Sequence, residues 1–188
     1  ILQGIQPSTF DQFKINPEEF IIKASSLIND EKATAIIEHI TYNVMDDKYD
    51  TDVFTDPTIK GRLGVNAMKA NKHLYDHIVY DSTNEKDFAT ELDTNKDVAV
   101  YVKLPDGFYI STPVGKYNPD WAIAFYEGTV KHIYFVAETK GSMNSMQLRL
   151  IEESKIHCAR EHFKAISNGK VIYDVVDSYQ TLLQEVMR

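Results

Sequence analysis

The sequence predicts an α/β protein, a mixed sheet flanked by helices behind an N-terminal helical segment. Three observations predict it. Runs of β-branched and aromatic residues at 98–102, 121–126 and 133–138 alternate with Pro- and Gly-containing turns. A long stretch from 146 to 166 places Leu148, Ile151, Ala159, Phe163 and Ile166 close to helical spacing. A further β-like run, 171–173, comes after that helix. The order of helix, strands, helix, strand gives a sheet built mostly from hairpin-linked strands.

The elements follow in order. Residues 16–44 read as helical: Asn16 caps a helix with Pro17 at its first position and Glu18 and Glu19 in its first turn. A second helix is expected to begin near Asn29 or Asp30, with Ala35, Ile36, Ile37 and Ile40 on its apolar face. The acidic stretch 46–64, with Pro57, Gly61 and Gly64, reads as a linker, and 63–74 as helix again. Residues 78–80 form a short strand, and Ser82 or Thr83 caps a helix over about 85–92. After the strand at 98–102, Pro105-Asp106-Gly107 turns the chain into a second strand at 108–110. Pro113 and Gly115 break it again. Glu127-Gly128 joins the third and fourth strands, Gly141-Ser142 ends the fourth, and Asn168-Gly169 closes the long helix. A last helix covers 179–187.

With 188 residues, 43% of them hydrophobic, the chain can bury one sizeable core. The division expected is a helical or connecting segment at 1–75 and the sheet-bearing domain at 76–188. Ile1 in place of Met suggests a fragment or processed product. No signal peptide opens the chain, no apolar run approaches the ~20 residues of a bilayer span, and the one cysteine, Cys158, excludes an internal disulfide. A cytoplasmic protein without a membrane partner is expected, with Cys158 a small buried helix residue. The net charge of −8 masks a basic window: 131–170 holds seven Lys or Arg against four Asp or Glu. Such a window suits phosphate contacts or a solvated helix equally well.

One constellation carries chemistry. Asn118-Pro119-Asp120-Trp121 opens one strand, and Glu138-Thr139-Lys140-Gly141 closes the next. Side chains alternate along a strand, so Glu138 and Lys140 share a face. If the strands pair as a hairpin about Glu127-Gly128, Asp120 falls opposite the Glu138 to Lys140 end. Two carboxylates can hold a hard Mg²⁺, and a nearby lysine can orient a nucleophile or offset charge, which is the chemistry of phosphodiester hydrolysis. The same residues also fit a plain ion pair between Glu138 and Lys140.

The stretch from about Tyr75 to Phe163 resembles the C-terminal endonuclease domain of type III restriction enzyme restriction subunits. The likeness rests on YDHIVYDSTNEKDFATEL, YVKLPDGFYISTPVGKYNPDWAIAF, YFVAETKGS and the helical KIHCAREHF. The resemblance implies a restriction-endonuclease-like fold of the PD-(D/E)xK type, Mg²⁺ dependence, and double-stranded DNA as substrate. It further implies two partners: a helicase-like motor of the same subunit and a modification (methyltransferase) subunit. Residue by residue, Asp120 and Glu138 would bind metal, with Thr139 taken as a third metal position, and Lys140 would be the catalytic lysine. Glu85, on the helix before the strands, is a further acidic candidate. No Gly-x-x-x-x-Gly-Lys-Ser/Thr loop occurs in these residues, so the motor is not among them. A non-catalytic docking or DNA-clamping domain of the same fold is the alternative, and an independent resolvase-like or repair nuclease a third.

Other residues read more plainly. His73 and His77 lie four apart on an expected helix, but the pattern of a zinc protease is missing, and they read as structural. His157 and His162 fall on different helix faces, no serine sits in a nucleophile elbow, and Trp121 is expected in the core, pointing away from Asp120. Lys116, Tyr117 and Asn118 suit either a DNA contact or a polar turn. The same holds for Gln147, Arg149, Lys155, Arg160 and Lys164, which contact phosphates or solvent.

Overall fold

The first well-marked helix boundary is local chemistry. Asn16 accepts from the Glu19 amide at 3.1 Å and donates to the Glu19 carboxylate at 3.1 Å, and Pro17 occupies the position that needs no donor. The computed structural model describes residues 4, 6–37, 40–43, 51–54, 61–128, 130, 132, 134–139, 146–167 and 170–188. Helices α1 (Pro7–Ile15) and α2 (Pro17–Ile37) open the chain. The helix start expected near Asn29 is not there, since α2 runs through it unbroken; nothing in that stretch interrupts the i→i−4 ladder. The linker read at 46–64 lies mostly outside the described residues, apart from a 3-10 turn at Thr51–Phe54 and residues 61–64.

The helix expected over 63–74 is a strand and its approach. Strand β1 (Ala67–Lys69) pairs antiparallel with β2 (His77–Val79), and His73 bridges to Tyr101. This hairpin spans the 75/76 position, and the amides of Asn71 and Lys72 are both held by the Asp93 carboxylate at 2.8 Å. Helix α3 (Thr83–Thr94) is capped by Ser82, whose hydroxyl accepts from the Glu85 amide at 3.2 Å, while the Glu85 carboxylate accepts from the Asp81 amide at 2.9 Å. The two bonds together resemble a capping box.

Strands β3 (Val98–Lys103), β6 (Trp121–Phe125), β7 (Tyr134–Thr139) and β8 (Val171–Val176) form the main sheet in the order β3-β6-β7-β8. The first two pairings are antiparallel and β7-β8 is parallel, so the sheet is mixed. Helix α4 (Met146–Ser167) supplies the long connection that a parallel pair needs. Between β3 and β6 the chain makes a separate hairpin, β4 (Ile110–Thr112) and β5 (Gly115–Tyr117). The second strand read at 108–110 therefore starts two residues later and stands outside the main sheet. Of the expected breakers, Pro113 lies in its two-residue turn and Gly115 opens β5 at φ 113°, where a side chain would be strained.

The sheet buries both faces. Trp121, Ile123 and Phe125 alternate into one core with Phe88 and Leu92 of α3 and Leu182 and Val186 of α5 (Tyr179–Met187). Val102, Val136 and Tyr173 face a second core with Ala159 and Phe163 of α4 and Ile110 and Tyr117 of the hairpin. A bulge between Val98 and Val100 lets Val98 and Tyr101, three residues apart, share the first core. Helix–sheet–helix layering with this mixed sheet is restriction-endonuclease-like. Among the described residues no helix is long and apolar enough to cross a membrane.

Candidate active site at one end of the sheet

The antiparallel ladder of β6 and β7 pairs Trp121 with Ala137, which carries Asp120 to the level of Glu138 at the end of the sheet. Trp121 is fully buried on the opposite side, as alternation requires. Asp120 Oδ2 accepts from the Thr139 amide at 2.7 Å and from the Thr139 hydroxyl. The Asp120 carbonyl accepts from the Leu104 amide at 2.8 Å, which ties the residue to the end of β3 as well. Thr139 thus turns its two donors onto Asp120, so its hydroxyl is engaged with a carboxylate. Lys140 lies outside the described residues.

Glu138 points to the α4 side. Its Oε2 accepts from the Tyr117 hydroxyl at 2.7 Å, and the Tyr117 and Tyr173 hydroxyls bond to each other. Burial pushes the Glu138 carboxyl up from its ordinary 4.5 to about 8, the nearby Asp120 charge adds to this, and the Tyr117 bond and Lys155 of α4 oppose it. Burial likewise raises Asp120, against the bonds from Thr139. Two carboxylates therefore crowd one another at a partly dry sheet end.

Glu85 takes a different partner. Its carboxylate lies 2.7 Å from Lys103 Nζ, which also lies 2.7 Å from Asp81. Lys103 pairs with Trp121 in the ladder, so it sits on the α3 face of the sheet end, and Glu85 and Lys103 both contribute to the field at Asp120. Burial works against the Lys103 charge, but the two carboxylates more than offset it and hold the ammonium above its ordinary value. Glu85 is near the pair without joining it.

Asp120 and Glu138 offer hard oxygen donors whose mutual repulsion a divalent cation would relieve. Among the described residues no three His, Cys, Asp or Glu side chains gather into a metal cage. A two-carboxylate set suits Mg²⁺, which keeps several of its waters, and does not suit structural zinc.

His73 and His162 behave as structural groups. His73 lies on the bridge to β3, not on a helix; its Nε2 accepts from the Lys103 amide at 3.1 Å, its Nδ1 faces the Tyr75 carbonyl at 3.2 Å, and burial lowers its pKa. His162 packs edge-on against Tyr42 and Phe163. Cys158 is buried. Arg160 is paired with Asp174 at 2.6 Å and Lys116 lies 3.7 Å above the Tyr109 ring, while Asn118 pins the Asp106 and Phe108 carbonyls at 2.8 and 2.7 Å.

Sequence reasoning missed Lys103, Tyr173 and the inward role of Tyr117. The Ser82-Thr83-Asn84-Glu85 spacing did carry the signal that gives Glu85 its capping task. No local signal marked the two tyrosines.

The layered mixed sheet defines a restriction-endonuclease-like domain. A family model described as "Endonuclease domain" matches residues 71–179, over half of the chain, and the chain belongs to that family. No curated protein and no solved structure matches it.

Proposed function

We propose that this chain is the Mg²⁺-dependent DNA-cutting domain of a type III restriction subunit, working through a PD-(D/E)xK site. The observation that carries the reading is the register of β6 and β7, which sets Asp120 level with Glu138 at one sheet end. The raised Glu138 carboxyl supports it, since burying two like charges side by side is costly without a cation between them. In this reading Asp120 and Glu138 hold Mg²⁺, and the Thr139 amide and hydroxyl keep Asp120 aimed. A bound Mg²⁺ supplies Lewis acidity and an acidified water. Lys140 orients the attacking water or offsets charge on the phosphoryl oxygens, and Glu85, tied to Lys103, tunes the field at Asp120. The DNA is double-stranded, the helicase-like motor belongs to the same subunit, and a modification subunit selects the sequence.

Nicking of supercoiled plasmid by this chain with Mg²⁺ or Mn²⁺ tests the reading, with Asp120→Asn, Glu138→Gln and Lys140→Ala compared after their folding is verified. Metal-dependent nicking lost in all three is expected. Nicking that survives all three removes the site assignment. DNA binding without nicking, unaltered by the three substitutions, would favour a clamping domain.

A further inference from the structure

We infer that Tyr117 is the positioning residue of Glu138, fixing the orientation of that carboxylate toward a divalent cation through a hydroxyl chain anchored in the second core. The inference rests on the reading of Glu138 as a metal-binding group. Tyr117 is 3% exposed and Tyr173 7% exposed, so neither hydroxyl relies on water. Tyr117 spends its one proton on Glu138 at 2.7 Å, and a hydroxyl has a single proton to give. With Glu138 ionised, as a metal-binding carboxylate is, the contact with Tyr173 runs the other way, Tyr173 donating to Tyr117. The Tyr173 ring stacks on Phe163 of α4 at 5.5 Å and 9°, and meets the Tyr117 ring edge-on at 6.3 Å and 85°.

The chain thus runs from α4 through β8 and β5 to β7; ring packing holds its Phe163–Tyr173 and Tyr173–Tyr117 links, and the hydrogen bond of Tyr117 makes the last one to Glu138. It also gives the β4–β5 hairpin a purpose. Outside the main sheet, the hairpin is seated by the Tyr42 hydroxyl on the Ser111 carbonyl at 3.0 Å, and it carries Tyr117 to the sheet end. Second partners of metal ligands act in this manner, holding the ligand in one orientation before the ion arrives.

The test is Mn²⁺ binding to the whole chain, read as loss of the free-ion signal in electron paramagnetic resonance. Tyr117→Phe is expected to weaken binding about 10-fold, the lower end of what such partners contribute, and Glu138→Gln to abolish it. Tyr101→Phe deletes an equally buried hydroxyl, one bonded to the Ala89 carbonyl at 3.2 Å away from the site, and is expected to lower stability without moving the affinity. Wild-type affinity in Tyr117→Phe, with Glu138→Gln inactive in binding, overturns the inference and spares the metal reading. Unaltered binding in Glu138→Gln overturns both. Should Tyr117→Phe not fold, Tyr173→Phe reads the same chain, since it leaves Tyr117 on Glu138 without its anchor. Weakened binding there supports the inference, and wild-type affinity sinks it.

Discussion

Replacing Glu138 with Gln is expected to stabilise the chain at pH 8.5 and to leave it nearly unchanged at pH 4.5, with metals chelated. Burial raises this carboxyl from 4.5 to about 8, and the Asp120 charge adds to it. The folded state therefore keeps a proton that the unfolded chain releases above 4.5. Stability falls as pH climbs through that window and stays low above about 8. From 4.5 to about 8, at about 1.36 kcal/mol per pH unit, the ceiling is about 5 kcal/mol. Glu138 is only partly buried, and water and side-chain relaxation screen much of the penalty, so a gain of about 1.5 kcal/mol is the working figure. Gln keeps an oxygen to accept from Tyr117 and so preserves the shape of the site. In a chain of this size the gain corresponds to about 3–6 °C in Tm. Thermal unfolding followed by circular dichroism in EDTA at pH 4.5 and 8.5 measures it. A stabilisation no larger at pH 8.5 than at pH 4.5 would refute the argument that a partly buried carboxylate at this sheet end is costly to ionise.

The other expectations use the same geometry. Because the carboxyl must lose its proton to take a cation, Mn²⁺ affinity should fall up to about 10-fold per pH unit from pH 8 to 6, with proton release visible in calorimetric titration. A flat profile would remove Glu138 from the binding set. Lys103→Met leaves Glu85 and Asp81 without their cation and should cost about 2 kcal/mol in urea denaturation, between the values for surface and buried pairs; a cost below that of a surface substitution would mean the cluster is solvated. Ser82→Ala removes the cap of α3 and should cost about 1 kcal/mol in the same assay, with no loss if water replaces the hydroxyl at the helix start.

What the sequence by itself determined is local. The alternation in β6, the amphipathic length of α4 and the caps at Asn16 and Ser82 each depend on neighbours a few residues away, and they hold in the structure. The facing of Asp120 and Glu138 was legible for the same reason: one hairpin with Gly128 at φ 86° in its turn sets the register of both strands. Three-residue strands carry almost no periodic signal, so the sequence around β1 reads as helix and that of β4 reads two residues early. The order β3-β6-β7-β8 skips the inserted hairpin, which only the closing of both cores decides. Tertiary structure alone brought Tyr117 within reach of Glu138, 21 residues away, and of Tyr173, 56 residues away. It also set Lys103 against Glu85, 18 residues back. Such contacts follow from how layers pack and exclude water, a property of the whole chain that no short window of sequence contains.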